Sequence, residues 1–491
     1  MIKIFTLLAS AMFTFSLVAQ PTSYVKLIET AKEFKDQSRL VYLETIGKSV
    51  EGRDIIAIHF SKSGLGVDET KIKVLIHSQQ HGNEQSGKEG ALMLVKELVK
   101  AEYSYLFDRI DLVVVPQINP DGSEKNERRN ANGMDLNRNH LIMTEPEVIS
   151  LHKLFDKYLF EVTLDAHEYS PYGDTWMKAG YRKNSDLLLG INTNPQISPS
   201  IRNLQREKFW PFWFNNVRKQ GVSAGMYSPG GPPEEDYIRY STFDINDGRQ
   251  SFGIQNTFSF IQEGMNGEDN FAENLPHRAH SQFSGMISLL KFVYENGAEM
   301  KKIVTEEREK LVKNIGNEFV ALQLDHFPDG TCLELPVYSY TTKRDSVVTV
   351  KNFRPIVKAT LSVQKPDGYL IPLSNSKLVE WVKKHGFTIT DPGDVNKLTL
   401  EQIKLLSVDS VNYEGDITAF PNVTVSPAGD NINLKNYLYV PTSQLKGNLL
   451  VIALEPQSVL GLATYSQFDF LMKAQSVYPI IKVRKNENRE N

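Results

Sequence analysis

From Tyr24 to about Tyr294, short apolar runs alternate with stretches whose apolar residues recur at helical spacing. The runs Ile55–Phe60, Lys73–Ser78, Asp111–Pro116, Val162–Asp165 and Phe258–Gln262 read as buried strands. Tyr24–Lys35, Ser86–Lys100, Pro146–Tyr158 and His280–Tyr294 carry the helical pattern. This alternation predicts an α/β domain with a mixed, mostly parallel sheet flanked by helices. Ala298 to Phe319 is charged and periodic and reads as a helix leaving that domain. After about Asp325 the texture changes to short β-rich runs: Ser346–Val350, Ala359–Val363, Asn436–Val440 and Asn448–Leu454. Helix signals at Ser376–His385 and Thr399–Ser407 interrupt them. The expected organisation is a first domain over 20–320 and a smaller mixed, β-rich accessory domain over 325–491.

The start breaks the pattern. Met1 to Lys3 is basic, Ile4 to Val18 is almost wholly apolar, and Ala19-Gln20-Pro21 returns to a polar chain. This reads as a secretory signal peptide over 1–19, cut after Ala19. The run is short for a membrane span, and no later segment is long enough for one. A formal charge of -4 over 491 residues gives no reason to expect nucleic acid or an anionic membrane as partner. Cys332 is the only cysteine, so no intramolecular disulfide forms. An exported chain of this kind fits a bacterial periplasm or secretion. Cys332 reads as a small buried apolar residue rather than a nucleophile.

The candidate chemistry lies at strand ends, where open α/β sheets form their sites. His81-Gly82-Asn83-Glu84 follows the strand ending near Ser78, and places an imidazole and a carboxylate where both can face one Zn²⁺. Such a pair is weak alone and needs a third ligand. His167, closing Val162-Thr-Leu-Asp-Ala-His, ends another strand, with Asp165 and Glu168 near enough to orient it. His77 lies within its strand and reads as a core histidine. Glu263 ends the run Phe258–Gln262 and is either a strand-end base or a solvent-facing glutamate. The loop from Asn119 to Asn139, rich in Asn and Arg, is either a carboxylate-binding loop or a solvated one. The turn-rich stretch Ser228–Asp236 is either a flap or an exposed connection.

In their order, His-Gly-Asn-Glu, Asn119-Pro-Asp-Gly, Asp135-Leu-Asn-Arg-Asn, Asp165-Ala-His and the strand-end Glu263 resemble the zinc carboxypeptidases of the carboxypeptidase A type. Gly47-Lys-Ser-Val-Glu-Gly-Arg-Asp is similar as well, and the resemblance spans Tyr24 to Tyr294. It implies one zinc ion held by His81, Glu84 and His167, with Glu263 as general base and acid. Arg128, rather than its neighbour Arg129, would polarise the scissile carbonyl, and Asn137 and Arg138 would anchor the terminal carboxylate. Tyr240 and Tyr237, with Tyr227 behind them, are the candidates for a tyrosine that closes on substrate. Asp244 or Asp247 would favour basic side chains if either faces the pocket. The aromatic cluster Phe209–Phe214 reads chiefly as core. Val440-Pro-Thr-Ser-Gln-Leu and Leu454-Glu-Pro-Gln-Ser resemble C-terminal regions of bacterial members. The activity implied is removal of C-terminal residues from peptides with a free carboxylate. The alternatives are amide hydrolysis of cell-wall peptides or small N-acyl compounds, and an inactive peptide-binding protein, which the complete residue set disfavours.

Overall fold

The computed structural model describes residues 20–316, 318–393, 398–413, 416–429 and 432–485; the expected signal peptide lies outside them. The N-terminal strands are β1 (Val41–Lys48), β2 (Asp54–Phe60), β3 (Ile72–Ser78), β4 (Ile110–Val115), β5 (Val162–Tyr169), β6 (Tyr181–Lys183), β7 (Leu187–Gly190), β8 (Ala224–Met226), β9 (Ile238–Arg239) and β10 (Phe258–Met265). Eight of them form one sheet in the order β1-β2-β4-β3-β5-β10-β7-β8. The four central strands, β4, β3, β5 and β10, are mutually parallel, and antiparallel pairs flank them. The sheet is therefore mixed and mostly parallel at its centre, as the alternating pattern predicts.

Side chains of a strand alternate between faces, and both faces here are buried. Val74 and Ile76 of β3 pack with Ala91, Leu94 and Val95 of the helix Gln85–Leu98 and with Ile287 and Leu290 of Leu275–Val312. Leu75 points the other way, into a second cluster with Leu151 and Phe155 of the helix Pro146–Tyr158 and with Phe252. His77 sits in this buried centre, as expected, with Nδ1 3.3 Å from Asp165 Oδ1.

The later strands are β11 (Phe319–Phe327), β12 (Leu333–Ser339), β13 (Arg344–Val350), β14 (Phe353–Arg354), β15 (Ile356–Gln364), β16 (Gly368–Pro372), β17 (Leu398–Tyr413), β18 (Asp416–Pro427), β19 (Tyr437–Pro441) and β20 (Ser476–Lys485). β17 and β18 make a long hairpin in a sheet ordered β18-β17-β20-β16-β19. β12 pairs with β6 and β14 with β9, so the later strands extend short ones of the earlier region. The helix Ser376–Lys384 also docks there: Trp381 Nε1 and the His385 imidazole both meet the Leu141 carbonyl, at 2.8 and 2.7 Å.

Four expectations are corrected. Thr399–Ser407 lies in β17, where pairing with β18 and β20 overrides its helical spacing. Asn448–Leu454 lies in the helix Gly447–Leu454; it is buried on every side, and an all-apolar run has no period to tell helix from strand. His280–Tyr294 and the stretch beginning at Ala298 are one helix, Leu275–Val312, and Phe319 opens β11. Cys332 is exposed, after the turn at Asp329–Thr331.

Candidate metal centre

The chain turns sharply after β3. Gln79 adopts a left-handed conformation, and Gly82 lies against the backbone of Gly122 and Ser123, where a Cβ would approach within 2.2 Å of a carbonyl carbon. Gly122 is also tightly packed, against the Arg129 carbonyl. Asn119 caps the helix Pro120–Lys125 through Gly122 N and donates to the Gln80 carbonyl. Asp121 accepts from Ser49 and Arg53, tying in the Gly47–Asp54 turn. Much of the spacing in these motifs therefore locks loop backbones together. Gly82 N also donates to the Arg128 carbonyl, which fixes the arginine beside the turn.

Three side chains converge here. His81 Nδ1 lies 2.7 Å from Glu84 Oε1, His167 Nδ1 lies 3.0 Å from Glu84 Oε2, and the two Nδ1 atoms are 3.2 Å apart. The outer nitrogens face carboxylates: His81 Nε2 is 3.1 Å from Asp135 Oδ1, and His167 Nε2 is 3.0 Å from Asp165 Oδ1. Carboxylates in those places favour the tautomers protonated on Nε2, which aim two Nδ1 lone pairs and an anionic carboxylate at one point. A shared cation resolves that arrangement, and the donor set of two imidazoles and one carboxylate suits zinc. Burial opposes charge on Glu84, but His81 and His167 outweigh it and hold the carboxyl far below its usual range. Burial likewise opposes charge on Asp135 and Asp165, and the neighbouring histidines outweigh it in both.

Glu263 stands beside this cluster because β10 and β5 pair in register, Glu263 opposite His167. It is 7% exposed and has no hydrogen-bond or ion-pair partner among the described residues. Burial pushes its carboxyl up to about 7, with Glu84 raising it and His167 lowering it. Arg128 reaches the cluster, with Nη1 3.5 Å from Glu84 Oε1 and Nη2 3.0 Å from Asp135 Oδ2. Arg129 turns away to the Gly133 carbonyl. Asn137 is buried, with its amide nitrogen 3.3 Å from His167 Nε2 and its amide oxygen accepting from Gly248 N. Arg138 is solvent-accessible, and Asp135, Asp244, Asp247 and Tyr227 are among the groups acting on its charge.

Other candidates go elsewhere. Tyr240 is 1% exposed, packs on Trp210, and its hydroxyl accepts from Ile191 N, so it is a core residue and faces no cleft. Tyr237 stacks under the Arg354 guanidinium at 3.8 Å. Tyr227 is the candidate whose hydroxyl feels Glu263, Arg249 and Arg138, and burial leads the forces that raise its pKa. Asp247 caps the helix Gly248–Gly253 and pairs with buried Arg249, which leaves it no free face for substrate. Asp244 is buried near Arg138. Glu168 orients Glu84 rather than His167: its backbone N–H donates to Glu84 Oε2, while its carboxylate pairs with Arg278. Phe209 and Trp213 are core, as expected, whereas Phe214 lines a surface cavity. Sequence reading missed Asp135 as the partner of His81, although it opens the quoted Asp-Leu-Asn-Arg-Asn motif.

Residues 27–177 match the family described as zinc carboxypeptidase. Carboxypeptidase 2 of Trichophyton rubrum is 23% identical over 477 residues, covering 92% of this chain and 84% of that protein. Carboxypeptidase D of Mus musculus is 28% identical over 261 residues, 46% of this chain and 18% of that protein. A metallo-carboxypeptidase from Pseudomonas aeruginosa is similar in structure with a TM-score of 0.44 and 20% identity, over 56% of this chain and 69% of that one. The family match covers the segment that carries His81, Glu84 and His167.

Proposed function

We propose that this chain is a zinc-dependent carboxypeptidase that removes C-terminal residues from peptides, with one zinc ion held by His81, Glu84 and His167. The observation that carries the reading is the convergence of those three ligand atoms beside Glu263, set opposite His167 by strand register. Zinc in that position would supply Lewis acidity toward a water and a substrate carbonyl. Glu263, buried and unpaired among the described residues, takes the water's proton and returns it to the leaving amine. Its raised pKa suits both halves of that exchange near neutral pH. Arg128 stabilises the negative charge developing on the carbonyl oxygen. Arg138, at the accessible end of the same loop, receives the terminal carboxylate, and Asn137 holds that loop against Gly248. Tyr227 replaces Tyr240 as the residue facing substrate.

The apolar start over 1–19 supports export, and no helix among the described residues is long and apolar enough to cross a membrane. The region 325–491 acts as an accessory unit: Trp381 and His385 hold the Leu141 carbonyl, three residues beyond Arg138. The test is digestion of a mixed peptide library by the zinc-loaded chain, read by mass spectrometry with a chelator control. Chelator-sensitive loss of single C-terminal residues supports the reading. Zinc bound without any trimming overturns it.

A further inference from the structure

A cavity of about 180 Å³ is walled in part by β5 and β7, the two strands that pair with β10. Tyr169, Trp176, Lys183, Leu188 and Tyr227 are among its walls. Leu188 is the β7 residue paired with Glu263, and Tyr169 lies two residues beyond His167 on β5. The cavity therefore borders the reacting centre, and its volume suits one side chain rather than a whole ligand.

Lys183 is its charged group. The ammonium donates to the Ser228 carbonyl and lies 4.9 Å from the Trp176 ring centre. An ammonium has three donors, and this one has no carboxylate at ion-pair distance among the described residues. A half-buried cation among aromatic walls with no carboxylate at ion-pair distance is costly, and a substrate that brings one offsets the cost. Burial, then neighbouring Arg239, lowers the Lys183 pKa to about 8 against the raising effect of Glu263, which leaves the side chain mostly charged at pH 7. The aromatic rings cover methylene groups well, while the ammonium waits at the polar end.

We propose that this cavity is the subsite for an acidic side chain of a residue flanking the scissile bond, with Lys183 as its specificity-determining cation. The inference rests on the carboxypeptidase reading, since it names which peptides that site takes. A short side-chain carboxylate fills the volume and gains a charge-assisted hydrogen bond, which sets the expected preference at about 10- to 100-fold.

The test compares peptides carrying Glu or Gln at the last position, and Glu or Gln at the penultimate position, as kcat/KM for the zinc-loaded full chain. The expected result is a Glu preference of that size at one of the two positions, falling to about one in Lys183→Met and turning toward Lys peptides in Lys183→Glu. Trimming of all peptides with no Glu preference overturns the subsite alone. So does a preference that survives Lys183→Met. Absence of trimming on every peptide overturns the carboxypeptidase reading and the subsite with it. If Lys183→Met does not fold, the wild-type Glu-to-Gln ratio decides by itself.

Discussion

Replacing Asp135 by Asn isolates what a carboxylate contributes behind a metal-facing histidine. Asp135 Oδ1 lies 3.1 Å from His81 Nε2 and accepts from Asn137 N, while Oδ2 accepts from Arg128 Nε at 3.1 Å. Asparagine keeps the size and one oxygen but removes the charge, and its amide can turn a donor toward His81. Loss of such a partner typically weakens metal binding by about 10- to 100-fold, or about 1.4–2.7 kcal/mol. The Arg128 contact adds little, since that side chain is 45% exposed. Burial opposes the Asp135 charge, but His81 and Arg128 hold its pKa far below the usual range, so the charge is constant across neutral pH. Zinc affinity would be read by competition with a chromophoric chelator at pH 7, with Arg129→Ala as the variant expected to leave it unchanged. Asp135→Asn binding zinc within twofold of the wild type would refute the claim that this carboxylate sets the His81 tautomer.

Other outcomes follow from the same geometry. Glu263→Gln should retain zinc and lose about 10²- to 10⁴-fold in kcat; near-normal turnover would remove Glu263 from the reaction. Arg138→Ala should raise KM about 10- to 100-fold for peptides with free C-termini, and leave poor amidated substrates little changed. Burial lowers His59 to about 4, against Glu44. Its folded pKa is thus below the unfolded value of about 6.5, so its contribution to stability is complete above pH 6.5 and is lost as pH falls toward 4. His59→Gln should flatten melting temperature over that window; an unchanged slope would contradict it. Trp381→Ala should cost about 3–5 kcal/mol in urea unfolding, because the ring is 2% exposed and its N–H serves Leu141. A loss under 1 kcal/mol would mean that the docking contributes little.

The convergence at the strand ends was legible because strand periodicity and the candidate residues occupy the same short runs. His81, His167 and Glu263 each follow an apolar segment, and parallel pairing of those segments brings them together. The placement of the candidate tyrosines was not legible. Tyr227, Tyr237 and Tyr240 share one stretch of the chain, and long-range contacts with Ile191 and Trp210 hold Tyr240 inward. The sequence leaves Asp247 open between a pocket charge and a loop charge, because the bond it accepts from Gln250 N depends on the helix that follows. Lys183 carries no local signal, since its environment comes from Trp176, Ser228 and Tyr227, up to 45 residues away in sequence. The helix Gly447–Leu454 misled for the opposite reason: uniform burial erases periodicity.

The pairing of Glu263 with His167 lies in the rigid centre of the sheet, whereas Arg128 and Arg138 ride on the connection between β4 and the helix Pro146–Tyr158. On the proposed roles, hydrolytic machinery and substrate-reading cations are thus mounted on separate supports. Exchange of that connection, or of the β6–β7 approach carrying Lys183, can redirect the chain to different peptides through gradual sequence drift. A one-residue slip of β10 has no such gradual route, because it turns Glu263 to the opposite face and, on the proposed mechanism, removes the base in a single step.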